Sequence, residues 1–231
     1  MGEPSMSDDY YLDFQNYPLH AWQEELKKAS LLPSRQILKE DLDARFNILS
    51  RKGISNLQEL MDALKTSRKV REFASQTGLP EDYLLVLRRE VLSLKPGPVK
   101  LSKLPGVKPE LVEKLEAAGI KTTLELFKRA KTSQDRDELG EEVGLRREEI
   151  RELAKLSDLS RIKWVGPVFA RMFLEAGMDS VKKVSEADAS EFYAELVNIN
   201  QNHKHTKARF VENDLVMCIE FAKKLPEVME Y

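Results

Sequence analysis

Apolar residues along this chain recur three or four positions apart, and no segment sustains the alternation of apolar and polar residues that marks a strand. The pattern predicts an all-α protein. After Pro18, Leu19, Trp22, Leu26 and Ala29 fall on one helical face. Pro33-Ser34 opens a second helix, with Ser34 as N-cap and Ile37, Leu38, Leu42, Phe46 and Leu49 as its buried stripe, running to Gly53. Leu84 and Leu87 mark a later helix beginning at Pro80. Ile150 and Leu153 mark another beginning at Arg146. Leu111, Val112 and Leu115, then Phe169, Ala170 and Phe173, form two further inward faces. Val181 and Val184 line a short helix, and Val216, Ile219, Phe221 and Ala222 line a last one ending near Pro226. The polar run Asn198 to His205 reads as a loop by composition.

These stripes are not independent of one another. Gly53-Ile54 returns 66 residues later as Gly119-Ile120, and the same offset carries Asn56 to Thr122, Glu59-Leu60 to Glu125-Leu126, Lys65-Thr66-Ser67 to Lys131-Thr132-Ser133 and Gly78-Leu79 to Gly144-Leu145. An offset of 58 carries Leu101-Ser102-Lys103-Leu104 to Leu159-Ser160-Arg161-Ile162, Val107 to Val165, Pro109 to Pro167 and Ala118-Gly119 to Ala176-Gly177. A series held in one register implies three related helical units, the first degenerate. Asn56-x-x-Glu59 and Thr122-x-x-Glu125 fit a capping box, and Thr66 and Thr132 are equivalent caps for the next helix. Lys95-Pro96-Gly97-Pro98 cannot continue a helix and serves as the linker. The expected organisation is an aromatic and acidic capping segment over 1–32, a degenerate repeat over 33–95, a repeat over 99–158, and a repeat with a C-terminal helix over 159–231.

Composition narrows the classes. With 231 residues, 42% hydrophobic and 33% charged, the chain can bury a core. No run of 18 apolar residues predicts a membrane span. Met1 to Met6 lacks the basic and apolar regions of a signal peptide, which favours a cytoplasmic protein with Met6 as its start. One cysteine, Cys218, and three histidines cannot form a zinc finger. Cys218 reads as a small core residue, and the nearby pair His203 and His205 as part of a solvated loop, so no metal or other cofactor is expected. The net charge of −2 argues against coating nucleic acid by bulk charge, but its distribution is uneven. Lys100 to Lys131 holds eight basic and four acidic residues, Thr132 to Ser160 five and nine, and Arg161 to Lys183 five and two.

The two basic stretches coincide with two predicted hairpins. That of the second unit, the second hairpin, reads Leu104-Pro105-Gly106-Val107-Lys108-Pro109 and leaves through Ala118-Gly119-Ile120. That of the third unit, the third hairpin, reads Ile162-Lys163-Trp164-Val165-Gly166-Pro167 and leaves through Ala176-Gly177-Met178. Both resemble the helix-hairpin-helix motif, whose Gly-apolar-Gly turn lets the backbone approach a ligand while amides at the next helix start point outward. Such amides suit a DNA phosphate. Each hairpin keeps one of the two glycines: Gly106, with Lys108 in the second place, and Gly166, with Trp164 in the first. Trp164 is expected to be buried or to cover the turn. The first unit has Glu40, Asp41 and Leu42 at the equivalent positions, which leaves no anion-binding hairpin there.

With these hairpins, the Ala-Gly exits and the final Ile219-x-x-Ala222-Lys223-x-Leu225 tail, residues 100–225 resemble the domain-of-unknown-function family 4332, and residues 35–95 look like a degenerate extra copy. The resemblance implies tandem helix-hairpin-helix-like repeats and no particular activity. Nothing in the chain matches a phosphate-binding Walker loop, a nucleophile elbow or a zinc-protease helix, so a non-catalytic binding module is expected. The leading expectation is weak, sequence-independent contact with a DNA or RNA backbone. It uses the turn at Gly106, the amides of Val107, Lys108, Val165 and Gly166, and the side chains of Lys100, Lys103, Lys108, Arg161, Lys163 and Arg171. The alternative is a protein-interaction scaffold with purely structural hairpins, its partner held by the aromatic segment from Tyr10 to Trp22.

Overall fold

Residues 8–231 are described in the computed structural model, and among them are thirteen α-helices, three short 3-10 turns and no sheet. The reading of Met1 to Met6 as a protein start lies outside these residues. The chain divides into two compact units, residues 12–95 and residues 96–231 joined by residues 8–11. The units change over between Lys95 and Pro96 and between Tyr11 and Leu12.

In the 12–95 unit, α1 (Leu19–Lys28) buries Leu19, Trp22 and Leu26, as its spacing predicts. The single helix expected from Ser34 to Gly53 is two elements: a 3-10 turn over Pro33–Lys39, then α2 (Leu42–Arg51). Asp41 breaks them apart by taking the left-handed conformation at φ 46°, and Ser34 caps nothing because the 3-10 turn begins at Pro33. Trp22 meets Phe46 of α2 at 5.9 Å. Helices α3 (Leu57–Ala63), α4 (Ser67–Thr77) and α5 (Glu81–Ser93) complete the unit, α5 burying Tyr83, Leu84, Val86, Leu87 and Val91.

The 96–231 unit contains α6 (Pro109–Ala117), α7 (Thr123–Arg129), α8 (Ser133–Val143), α9 (Arg147–Leu159), α10 (Pro167–Glu175), α11 (Val181–Glu186), α12 (Ala189–His203) and α13 (Glu212–Ala222). Helix α9 is the central strut. It packs against α7, α8 and α10, and its whole second half from Leu153 is buried except for Lys155. The run Asn198 to His203, read as loop, continues α12, because Leu196 and Ile199 anchor its inner face while the polar residues line the outer one. In α13 the buried stripe is Leu215, Cys218, Ile219, Phe221 and Ala222. Val216 faces solvent, one residue out of the expected register.

The repeated sequences adopt repeated local structure. Helices α2, α6 and α10 close alike, with the amides of Ile54, Ile120 and Met178 donating to the carbonyls of Leu49, Leu115 and Phe173 at 3.2, 2.8 and 3.0 Å. Gly53, Gly119 and Gly177 carry the positive φ these closures require, which a residue with a Cβ adopts only at a cost. Asn56, Thr122 and Ser180 then cap α3, α7 and α11 by accepting from the third amide. Thr66 and Thr132 cap α4 and α8 as expected, and Gly78 and Gly144 end them. One correspondence is not visible in either offset. Leu19 donates to Ser55 and Leu57 to Tyr17, as Leu101 donates to Lys121 and Thr123 to Val99. The extended pieces at Pro18 and Lys100 thus pair with equivalent partners, Asn56 and Thr122, although sixteen more residues separate the first pair than that second one.

Candidate nucleic-acid interface

In the second hairpin a 3-10 turn over Leu101–Lys103 leads through Pro105 and Gly106 into α6. Leu101, Leu104, Val112 and Leu115 are buried and fix the turn from beneath, with Val107 half-buried. Lys100, Lys103, Gly106 and Lys108 are exposed around the turn, and among the described residues none of the three lysines makes an ion pair. Gly106 takes φ 77°, and a Cβ there would lie 3.2 Å from the Arg171 guanidinium carbon. Charge at the turn is mixed. Glu110 occupies the first turn of α6, and Glu149 lies close enough for Lys108 to help hold it ionised. The Glu149 carboxyl is drawn down to about 2 mainly by the Arg146 side chain and amide.

The third hairpin is built the same way but directs its cations inward. Ile162, Val165, Ala170 and Phe173 are buried, as the spacing predicts. Arg161 has a side chain 0% exposed, ion-paired with Asp158 at 2.6 Å, and it donates to the carbonyls of Tyr10, Asp9 and Pro226 at 3.1, 3.0 and 2.8 Å. The ring of Phe127 lies 4.8 Å from its guanidinium carbon. Lys163 is buried, with Nζ 4.1 Å from the Trp164 ring centroid. Arg171 donates to the Pro105 carbonyl at 2.7 Å and pairs with Glu152 at 2.8 Å, while its Nη2 is buried without a hydrogen-bond partner. Arg171 therefore stitches α10 to the second hairpin. All three predicted phosphate contacts of this hairpin are buried: Arg161 is held by Asp158 and three carbonyls, Arg171 by the Pro105 carbonyl and Glu152, and Lys163 lies against the Trp164 ring.

Several turn amides are also engaged. Val107 donates to Leu104 at 3.4 Å, Val165 to Ile162 at 3.0 Å and Gly166 to Trp164 at 3.1 Å. Among the four amides expected to face a phosphate, that of Lys108 has no backbone acceptor. Trp164 is not buried, but its ring lies over the Lys163 ammonium of the same turn. It stands 48% exposed at φ 69°, in the place that Gly106 occupies one repeat earlier.

The aromatic segment offered to a protein partner is largely spent on the chain's own cores. Tyr10, Phe14 and Trp22 are buried, and the Tyr10 hydroxyl shares a hydrogen bond of 2.8 Å with Thr123. Sequence reasoning missed this use of Tyr10 and Arg161 because Tyr10 meets Thr123 and Arg161 across more than a hundred residues, a pairing that neither repeat offset predicts. Among the described residues no helix is long and apolar enough to cross a membrane.

Residues 105–225 match a family model described as Domain of unknown function (DUF4332). No curated protein and no solved structure matches the chain.

Proposed function

Since the chain belongs to the DUF4332 family, whose description assigns no activity, we propose from its surface chemistry that it is a non-catalytic module of tandem helix-hairpin-helix-like repeats that touches a nucleic-acid backbone weakly and without reading sequence. The observation that carries this reading is the exposure of Lys100, Lys103 and Lys108 around the exposed Gly106 turn, without ion pairs among the described residues. Lysines in that setting act as point charges for phosphates, and the free Lys108 amide adds a donor. The interaction is weak because Glu110 and Glu149 stand beside it and because the third hairpin contributes no exposed cation of its own turn.

Binding to duplex and single-stranded DNA and RNA at low ionic strength tests the proposal. Affinity is expected to be similar across unrelated sequences and to fall steeply with salt. The triple substitution of Lys100, Lys103 and Lys108 to Ala is expected to flatten the log–log salt slope on duplex by up to about 3 units. If no probe binds more tightly than roughly 100 μM, the weak edge of ordinary non-specific affinities, the nucleic-acid reading fails. The second reading, a protein-interaction scaffold with structural hairpins, then gains the ground. The inward turn of Arg161, Lys163 and Arg171 favours it.

A further inference from the structure

The two histidines read as a solvated pair are held in a built arrangement. Helix α12 ends with Lys204 in the left-handed conformation, φ 54° and ψ 40°, its amide closing on Asn200 at 2.9 Å. The reversal turns the chain back, so that His203 and His205 lie nearly parallel with ring centroids 5.6 Å apart. The Asn200 side chain fixes the returning strand twice, donating to the Thr206 carbonyl at 3.1 Å and accepting from its amide at 2.9 Å. On the facing side Glu175, the last residue of α10, brings its carboxylate to 2.7 Å from His205 Nε2. One ligating atom from each of Glu175, His203 and His205 lies within 4.8 Å of the other two.

We propose that Glu175, His203 and His205 form a binding site for a divalent transition-metal ion of the zinc type. Metal–nitrogen and metal–oxygen bonds of about 2.0–2.2 Å place tetrahedral ligands roughly 3–3.5 Å apart. The 2.7 Å contact and the 4.8 Å limit seen here bracket that spacing, so the three side chains are already placed at the separations a bound ion requires to within a small adjustment. Two imidazoles and one carboxylate are the donor set of zinc, nickel or copper rather than of magnesium or calcium, which take oxygen ligands. Three protein ligands leave a coordination position for water, and the ion would tie the end of α10 to the segment that leads into α13. The inference is independent of the nucleic-acid reading, since none of the three residues belongs to either hairpin turn.

Calorimetric titration of the intact protein with zinc chloride, repeated with magnesium chloride, tests it. The expected result is one zinc ion per chain with Kd below about 100 μM and no saturable magnesium binding. Glu175→Gln, His203→Ala and His205→Ala are each expected to weaken zinc by more than about tenfold, while His20→Ala, a distant histidine, leaves it unchanged. Excess zinc at about 100 times Kd is expected to raise the melting temperature by about 5 °C or more in the parent and not in His203→Ala. Circular dichroism without metal establishes that each variant keeps its helices, and His203, being exposed, is the one least coupled to folding. Absence of saturable zinc binding in the parent overturns the proposal. So does binding that survives intact in folded His203→Ala, or that disappears in His20→Ala.

Discussion

Arg161 and Asp158 show what a charged pair does once it is wholly withdrawn from water. Every nitrogen of the Arg161 guanidinium has an acceptor, and the second oxygen of Asp158 accepts from the Val181 amide at 2.9 Å. Truncating one member strands the other, so Arg161→Met or Asp158→Ala is expected to cost about 3–5 kcal/mol in urea unfolding. A loss under about 1 kcal/mol would show that water reaches the pair. At the hairpin turns the same position carries opposite risks. Gly106→Ala places a Cβ against Arg171 at positive φ and is expected to destabilise by about 1–2 kcal/mol. Trp164→Gly relieves comparable strain, offset by chain entropy, and is expected to lie within about 1 kcal/mol of neutral. Burial, reinforced by Asp214, pushes the Cys218 thiol up to about 12. Its thiolate is therefore scarce at pH 8, and labelling by a thiol reagent there is expected to track unfolding rather than proceed in the folded state. Rapid stoichiometric labelling of the folded protein would contradict this.

At the scale of elements, the expected inward residues of the hairpins are largely those the structure buries. Phe173, packed edge-on against Phe192 at 4.6 Å, is expected to cost about 3–5 kcal/mol when cut to Ala. A loss below about 1 kcal/mol would place it outside the core. Helix starts and stops were legible because they depend on neighbours in sequence: Asn56, Thr66, Thr122 and Thr132 accept from the third amide downstream, whatever surrounds them. Breaks decided by tertiary contact were not. Asp41 interrupts a stripe whose apolar spacing runs straight through it, and Val216 is as apolar as Leu215 although one is exposed and the other buried. The polar tail of α12 was missed for the converse reason, since one anchored face is enough to hold a helix whose other face is wholly polar. The candidate interface was legible as a count of cations. Which cations point outward was not, because Arg161 and Arg171 answer to carbonyls in distant segments.

For the whole molecule, the passage of residues 8–11 into the 96–231 unit has an energetic meaning. Tyr10 stacks edge-on against Phe127 at 5.1 Å, Asp9 pairs with Lys131 at 2.9 Å, and the backbone of both supplies acceptors to Arg161. A fragment beginning at Pro96 lacks all of these. It is expected to lose at least about 3 kcal/mol and to melt roughly 6–12 °C lower than the same unit in the intact chain. A synthetic peptide of residues 1–18 is expected to restore part of that loss, and a fragment as stable as the parent unit would refute the anchoring role. The two tryptophans offer a means of following these events. Trp22 is 2% exposed in the 12–95 unit and Trp164 is 48% exposed in the other. Iodide should quench the emission of Trp164 while sparing Trp22, whose spectrum is blue-shifted by its apolar surroundings. Replacing either indole with Phe would then give each unit its own optical signal, so that the order in which they melt can be read from the light alone.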